Sequence, residues 1–61
     1  MELPKEPQML LSYVNTLLRD EFEDLFSLAA YYDEDPEKIE RILATIDYRY
    51  DEARNAFVGI L

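Results

Sequence analysis

The chain lacks the residues that stabilise many small proteins by covalent or metal cross-links. It has 61 residues, no cysteine and no histidine. Disulfides are therefore excluded, and the usual zinc ligands are missing. A domain of this size buries only about 60% of the surface that its unfolded chain exposes, so its stability must come from one efficient hydrophobic core.

Long apolar runs and a recognisable leader are also absent. No run approaches the roughly 18 apolar residues that span a membrane. Residues 1–7 lack the basic start and apolar stretch of a signal peptide. We therefore expect a cytoplasmic protein without a membrane partner.

Basic residues are few and scattered. Six of them face fourteen acidic residues, which gives a formal net charge of −8. Because nucleic-acid affinity comes mainly from neutralising phosphates, a nucleic-acid partner is not expected. The acidity itself is interpreted as a source of solubility.

The residue pattern also argues against catalysis and metal binding. The available hydroxyl nucleophiles have no histidine or cysteine beside them, and the single glycine cannot form a phosphate-binding loop. The acidic run at residues 33–37 lacks the central glycine of a calcium-binding loop and contains Pro36. We therefore expect no enzyme activity, no cofactor and no metal.

What the chain does contain predicts one folded α+β domain over residues 1–61. Hydrophobic residues make up 49% of it, including five tyrosines and three phenylalanines, which is unlike a disordered tail. The expected parts are an extended arm at 1–6, a helical unit at 7–46 and a β-hairpin at 47–60.

Apolar spacing predicts three helices, at 7–20, 24–32 and 36–46. Pro7 and Pro36 suit first helical positions, while Asp24 and Asp35 suit N-caps. Gln8, Ser12, Asn15 and Arg19 fall opposite the apolar face of the first helix. The core is expected to contain Leu10, Val14, Leu17, Leu25, Leu28, Ile39, Ile42, Leu43, Ile46, Tyr50 and Phe57.

Alternation around a polar turn predicts the hairpin. Asn55 tolerates a left-handed backbone and can close a four-residue loop at 52–55. This register places Tyr50 opposite Phe57 and Tyr48 opposite Gly59. A tyrosine ring over bare backbone would explain why the only glycine lies there.

Three short helices followed by a hairpin are similar to a winged helix-turn-helix, which reads DNA with its third helix. That helix would present Glu37 and Glu40 beside Lys38 and Arg41, so a DNA-binding regulator is the alternative rather than the leading hypothesis. Such a helical unit is also simply an economical way to bury three amphipathic helices.

The first two helices carry more apolar residues than one buried face needs. Met9 and Tyr13 widen the apolar sector of the first helix, and Phe26, Ala30 and Tyr31 lie outside the inner stripe of the second. Either the arm and hairpin cover them, or they form a contact patch. The leading hypothesis is a non-catalytic protein–protein interaction module, including self-association, with Met9, Tyr13, Phe26 and Tyr31 as the candidate interface.

The N-terminal block LPKEPQMLLS, followed by Asn15 and Leu18-Arg19-Asp20, resembles a family of very short uncharacterised bacterial proteins classed as a domain of unknown function. That family also has a G-Y-x-Y-D turn and an N-x-F near its end. The matching residues here are Tyr48, Tyr50, Asp51, Asn55 and Phe57. Asp47 replaces the glycine of the pattern, which weakens the expectation of a special backbone angle there.

The resemblance implies no activity or ligand, but it singles out four polar positions: Lys5, Asn15, Arg19 and Asp20. Either these residues bind something, or Asn15 and Arg19 hold the extended arm through hydrogen bonds to its backbone. The second interpretation follows from the need to satisfy the polar groups of a buried arm.

Overall fold

The computed structural model describes residues 2–60. Met1 and Leu61, which belong to the predicted single domain, lie outside the described residues. The elements, in chain order, are three helices and two strands: α1 (Pro7–Asp20), α2 (Leu25–Tyr31), α3 (Pro36–Ala44), β1 (Tyr48–Asp51) and β2 (Ala56–Gly59). The predicted α+β architecture, three helices followed by an antiparallel hairpin, is confirmed.

Side-chain caps explain where the helices begin. Asp24 accepts a hydrogen bond from the Ser27 N–H at 2.7 Å, and Asp35 accepts one from the Glu37 N–H at 2.9 Å. Both aspartates were predicted as N-caps. Glu6 caps α1 in the same way, which the sequence patterns had not indicated. Each carboxylate satisfies a donor that the helix itself leaves free.

The third helix ends two residues earlier than expected. Its last residue is Ala44, and Thr45, Ile46 and Asp47 continue as a tighter turn in which each N–H bonds three residues back. Asp47 then adopts φ of +64°, in the left-handed region. The special backbone angle is therefore present with aspartate in the glycine position of the family pattern, and it turns the chain from α3 into β1.

The hairpin has the predicted register. Tyr48 pairs with Gly59 and Tyr50 with Phe57, and residues 52–55 form the loop, with Asn55 at φ of +52°. The explanation offered for the glycine was only partly right. A Cβ atom built at Gly59 would lie 4.0 Å from the Tyr48 ring, an ordinary contact, so the ring does not require bare backbone there.

The core lies between the helices and one face of the hairpin. Its buried residues are Leu3, Leu10, Val14, Leu18, Leu25, Leu28, Ala29, Ile39, Leu43 and Phe57. Four predicted core residues, namely Leu17, Ile42, Ile46 and Tyr50, are half-buried and pack against its edge. Leu18 takes the place expected for Leu17 because Leu10, Val14 and Leu18 stack at four-residue spacing on α1.

The arm contributes to this core through Leu3, which was not among the predicted core residues. Leu3 is buried although residues 2–5 form neither helix nor strand. Within residues 2–60, no helix is long and apolar enough to cross a membrane.

The backbone at position 47 gives a first test. Asp47→Val should lower the free energy of unfolding by about 1–2 kcal/mol, because a β-branched residue fits the left-handed region poorly. Asp47→Gly should not lower it, since glycine adopts this angle without strain. Asp47→Asn removes the charge, but asparagine also tolerates the left-handed angle. Its free energy of unfolding in urea should therefore stay close to that of the parent. Equal stability of the valine and glycine variants would contradict this account.

Candidate functional site

The amide of Asn15 binds the hairpin. Its Nδ2 donates to the Phe57 carbonyl at 3.0 Å, and its Oδ1 accepts from the Phe57 N–H at 2.8 Å. The side chain thus pairs with β2 as a neighbouring strand would. The predicted hydrogen bond from Asn15 to the arm is therefore wrong. The expectation that Asn15 lies opposite the buried face of α1 is also wrong, because the hairpin covers that side of the helix.

A second amide and a tyrosine complete the attachment. Asn55 donates through Nδ2 to the carbonyls of Leu18, at 2.9 Å, and Phe22, at 3.0 Å. The Tyr50 hydroxyl donates to Asn55 Oδ1 at 2.7 Å and accepts from the Leu25 N–H at 3.2 Å. The hairpin therefore satisfies backbone groups at the end of α1 and the start of α2.

The side chains of Asn15, Tyr50 and Asn55 are hydrogen-bonded and partly shielded from solvent. Burial, followed by the nearby Asp24, Glu52 and Asp51 carboxylates, raises the pKa of Tyr50, although its bond to Leu25 acts in the opposite direction. Within residues 2–60, no buried side-chain nitrogen or oxygen lacks a hydrogen-bond partner. We call Asn15, Tyr50 and Asn55 the docking network.

The other polar motif positions lie at the surface. Arg19 forms a two-pronged contact with its neighbour Asp20, at 2.9 and 3.0 Å, and does not hold the arm as predicted. The hydrogen bond from Arg19 lowers the pKa of Asp20. Lys5 is exposed. Lys5 and Arg19 line different grooves, Lys5 the one beside the arm and α3 and Arg19 the one beside the hairpin.

Two grooves mark the surface. The larger, about 690 Å³, runs between α1 and the hairpin and has a mixed lining that includes Ser12, Thr16, Arg19 and Arg54. The smaller, about 300 Å³, lies between the arm and α3 and is mainly apolar, with Lys5 and Lys38 among its lining residues. Within residues 2–60, no three acidic side chains converge as metal ligands would.

The outer face of α2, which consists of Phe26, Ser27, Ala30 and Tyr31, is exposed along its whole length. Phe26 and Tyr31 are 64% and 72% exposed. The inner face buries Leu25, Leu28 and Ala29. Neither the arm nor the hairpin covers the outer face, so one of the two open possibilities for these residues is excluded.

An aromatic cluster connects this face to α1. Tyr31 packs on Phe22 and Tyr32 with ring centroids 5.5 and 5.1 Å apart, and Tyr13 meets Tyr32 edge-on at 6.4 Å. The Tyr13 hydroxyl, together with burial, raises the pKa of Tyr32 to about 12, and the Glu21 carboxylate acts in the same direction.

The four candidate interface residues therefore differ. Tyr13 is half-buried and packs against the core, whereas Met9, one turn earlier on α1, is 61% exposed. Phe26 and Tyr31 belong to the outer face of α2. Ile60, 52% exposed at the end of the hairpin, is a further apolar surface residue that the sequence reading missed.

The fold and these surfaces define a small α+β domain in which a hairpin is docked on three helices. The chain belongs to the family described as Domain of unknown function (DUF4250), whose model matches residues 4–57. No curated protein and no solved structure matches the chain. Three of the residues on which the sequence resemblance was based, Asn15, Tyr50 and Asn55, form the docking network.

The docking network predicts a large effect from a small chemical change. Asn15→Asp and Asn55→Asp each remove an amide donor and place a carboxylate against carbonyl oxygens. Each should lower the free energy of unfolding by about 2 kcal/mol or more. Gln8→Glu, the same change at an exposed position, should stay within about 0.5 kcal/mol of the parent. Urea unfolding followed by circular dichroism measures all three, and equal losses would refute the network's role.

The raised pKa of Tyr50 predicts alkaline destabilisation. A tyrosine whose folded pKa exceeds the unfolded value, about 10, contributes its full stability below pH 10 and loses it as pH rises through the folded pKa. Tyr50→Phe should therefore be less stable than the parent at neutral pH and lose less stability above pH 10. Tyr48→Phe on the same strand should retain the parent's steeper fall. Tyr32, whose pKa is also raised, contributes to the loss of stability at high pH in both variants. Identical slopes of unfolding free energy against pH for all three proteins would contradict the assignment of this effect to Tyr50.

Proposed function

We propose that this domain is a non-catalytic protein-interaction module that acts in the cytoplasm. The observation that carries the proposal is the exposed outer face of α2. A seven-residue helix buries one side in the core and presents Phe26, Ala30 and Tyr31 on the other. Large apolar surfaces on a small soluble domain favour a binding role.

The side chains on this face suit binding. Aromatic residues bury about 150–250 Å² each when covered, and they dominate the energetics of interfaces. Tyr31 is held by Phe22 and Tyr32, so a partner would meet a ring that is already positioned. Because this ring is already held in place, binding would cost less side-chain entropy here than on a mobile loop.

The two remaining candidates lie on α1 and differ in exposure. Met9 adds exposed apolar surface on α1, while Tyr13 supports the aromatic cluster from its half-buried position. Met9, Phe26 and Tyr31 are therefore proposed as contacts, and Tyr13 as a residue that positions Tyr32.

The charge distribution supports a protein partner over DNA. Helix α3 exposes Glu37 and Glu40 beside its two basic residues, and Lys38 lies 3.8 Å from Glu34. The two acidic and two basic residues of this helix cancel, and its N-cap Asp35 adds a further carboxylate, so a recognition helix of this composition offers phosphates no net attraction. The winged-helix alternative therefore receives no support beyond the order of its elements.

A photo-crosslinking amino acid placed in the native cell tests the proposal. Benzoylphenylalanine at position 26 or 31 preserves an aromatic ring and should yield a higher-mass adduct on illumination. The same residue at position 40, on the exposed side of α3, is the matched control and should yield none. No adduct from either test position, or equal adducts from position 40, would reject the proposed module.

The mass of the adduct separates two kinds of partner. Twice the mass of the chain means self-association, and any other mass means a different protein. Sedimentation of the parent and of Tyr31→Ser at high concentration checks the first outcome independently, because loss of the exposed ring should weaken a dimer formed through this face. Tyr13→Ser is less informative, since it also disturbs the packed cluster.

A further inference from the structure

We infer that the outer face of α2 binds a cationic segment of another protein, one that combines arginine or lysine with apolar side chains. This inference rests on the proposed interaction function and specifies its partner. It follows from the position of the charge along the chain and from the rings exposed at the same place.

The entire formal charge of the chain belongs to one segment. Residues 20–37 contain eight carboxylates and no lysine or arginine, whereas the six carboxylates elsewhere balance the six basic residues, for a total of −8. Within residues 2–60, two of the eight form ion pairs, both with cations just outside the segment: Asp20 with Arg19 and Glu34 with Lys38. Outside this segment the formal charges cancel, so the excess of negative charge lies along residues 20–37.

The outer face of α2 lies inside that acidic segment and carries no charge of its own. Glu21 and Glu23 are exposed just before the helix, and Asp33 is exposed just after it. Seven helical residues span about 10 Å, so the apolar face is short, and acidic residues precede and follow it along the chain. Glu21 directly precedes Phe22, whose ring packs on Tyr31 with centroids 5.5 Å apart, so this carboxylate adjoins the aromatic cluster along the chain.

A cationic segment matches each part of this surface. Its apolar side chains would cover Phe26 and Ala30, and a guanidinium or ammonium group would stack on the open side of Tyr31. Cation–π contacts of this kind contribute about 0.5–2 kcal/mol. Basic groups on either side would meet the bracketing carboxylates, which also accelerates association.

A second copy of the chain fits less well. Two-fold dimers bury the same patch on both subunits, so pairing through this face would bring two acidic segments together. DNA, RNA and anionic membranes are repelled for the same reason. Among possible occupants, a basic protein segment is the one whose charge complements the face.

The test uses the full chain and fluorescently labelled synthetic peptides. The probe is a short amphipathic peptide of arginine and leucine. One control peptide carries glutamate in place of each arginine, and a second keeps the arginines but replaces leucine with serine. We expect the arginine–leucine peptide to bind more tightly than either control in an anisotropy titration at low salt.

Matched variants separate this face from general charge attraction. Phe26→Ser with Tyr31→Ser keeps the net charge and should weaken binding at least about tenfold. Ile60→Ser, which removes an exposed apolar residue elsewhere, should leave binding unchanged. Glu21→Gln with Glu23→Gln should weaken binding about fivefold, and more than Glu2→Gln with Glu40→Gln, which reaches the same net charge. Circular dichroism verifies that each variant is folded.

Several results would overturn the inference. In the peptide titrations, these results are no binding of the arginine–leucine peptide, equal binding of the arginine–serine peptide, or equal effects of the two glutamine pairs. Binding of a random DNA duplex that depends on Phe26 and Tyr31 would also overturn it. So would a crosslinked adduct with the mass of a dimer. The last outcome would keep the interaction module while rejecting the cationic partner. Absence of any adduct from positions 26 and 31 would reject both.

Discussion

Attachment of the hairpin to the helices is the interaction on which the rest of this structure depends. A two-stranded hairpin is at best marginally stable alone, and each of the three helices is short. Asn15 pairs with β2 as a strand would, while Asn55 and Tyr50 bind backbone groups around the α1–α2 junction. Asn15 binds the backbone of the buried Phe57, and the Tyr50 ring packs on the Phe57 ring at 5.5 Å, so polar and apolar contacts fix the same arrangement.

This arrangement separates the residues that build the fold from those that remain available. Three polar residues, Asn15, Tyr50 and Asn55, are occupied by the hydrogen bonds of the docking network. The exposed aromatic residues of α2 are not needed to anchor the helix, which Leu25, Leu28 and Ala29 already do, although the Tyr31 ring also packs on Phe22 and Tyr32. Because burying Phe26 and Tyr31 would not serve this core, their exposure is the feature that a partner would explain.

The sequence allowed the elements to be predicted because local rules govern them. The caps Asp24 and Asp35, the helical spacing of apolar residues and the alternation around residues 52–55 each depend on neighbours a few positions away. The same rules identified the surplus of aromatic residues on the second helix. They did not place the end of α3, which is set by the left-handed turn at Asp47 into the hairpin.

The sequence by itself determined the element order, the hairpin register and the concentration of negative charge between residues 20 and 37. Tertiary structure alone decided that Asn15 faces the hairpin, that Leu3 enters the core and that Tyr13 is half-buried while Tyr31 is exposed. The physical reason is separation along the chain. Asn15 and Phe57 are 42 residues apart, and no local pattern encodes which distant group will satisfy an amide. That choice depends on how all three helices and the hairpin pack together.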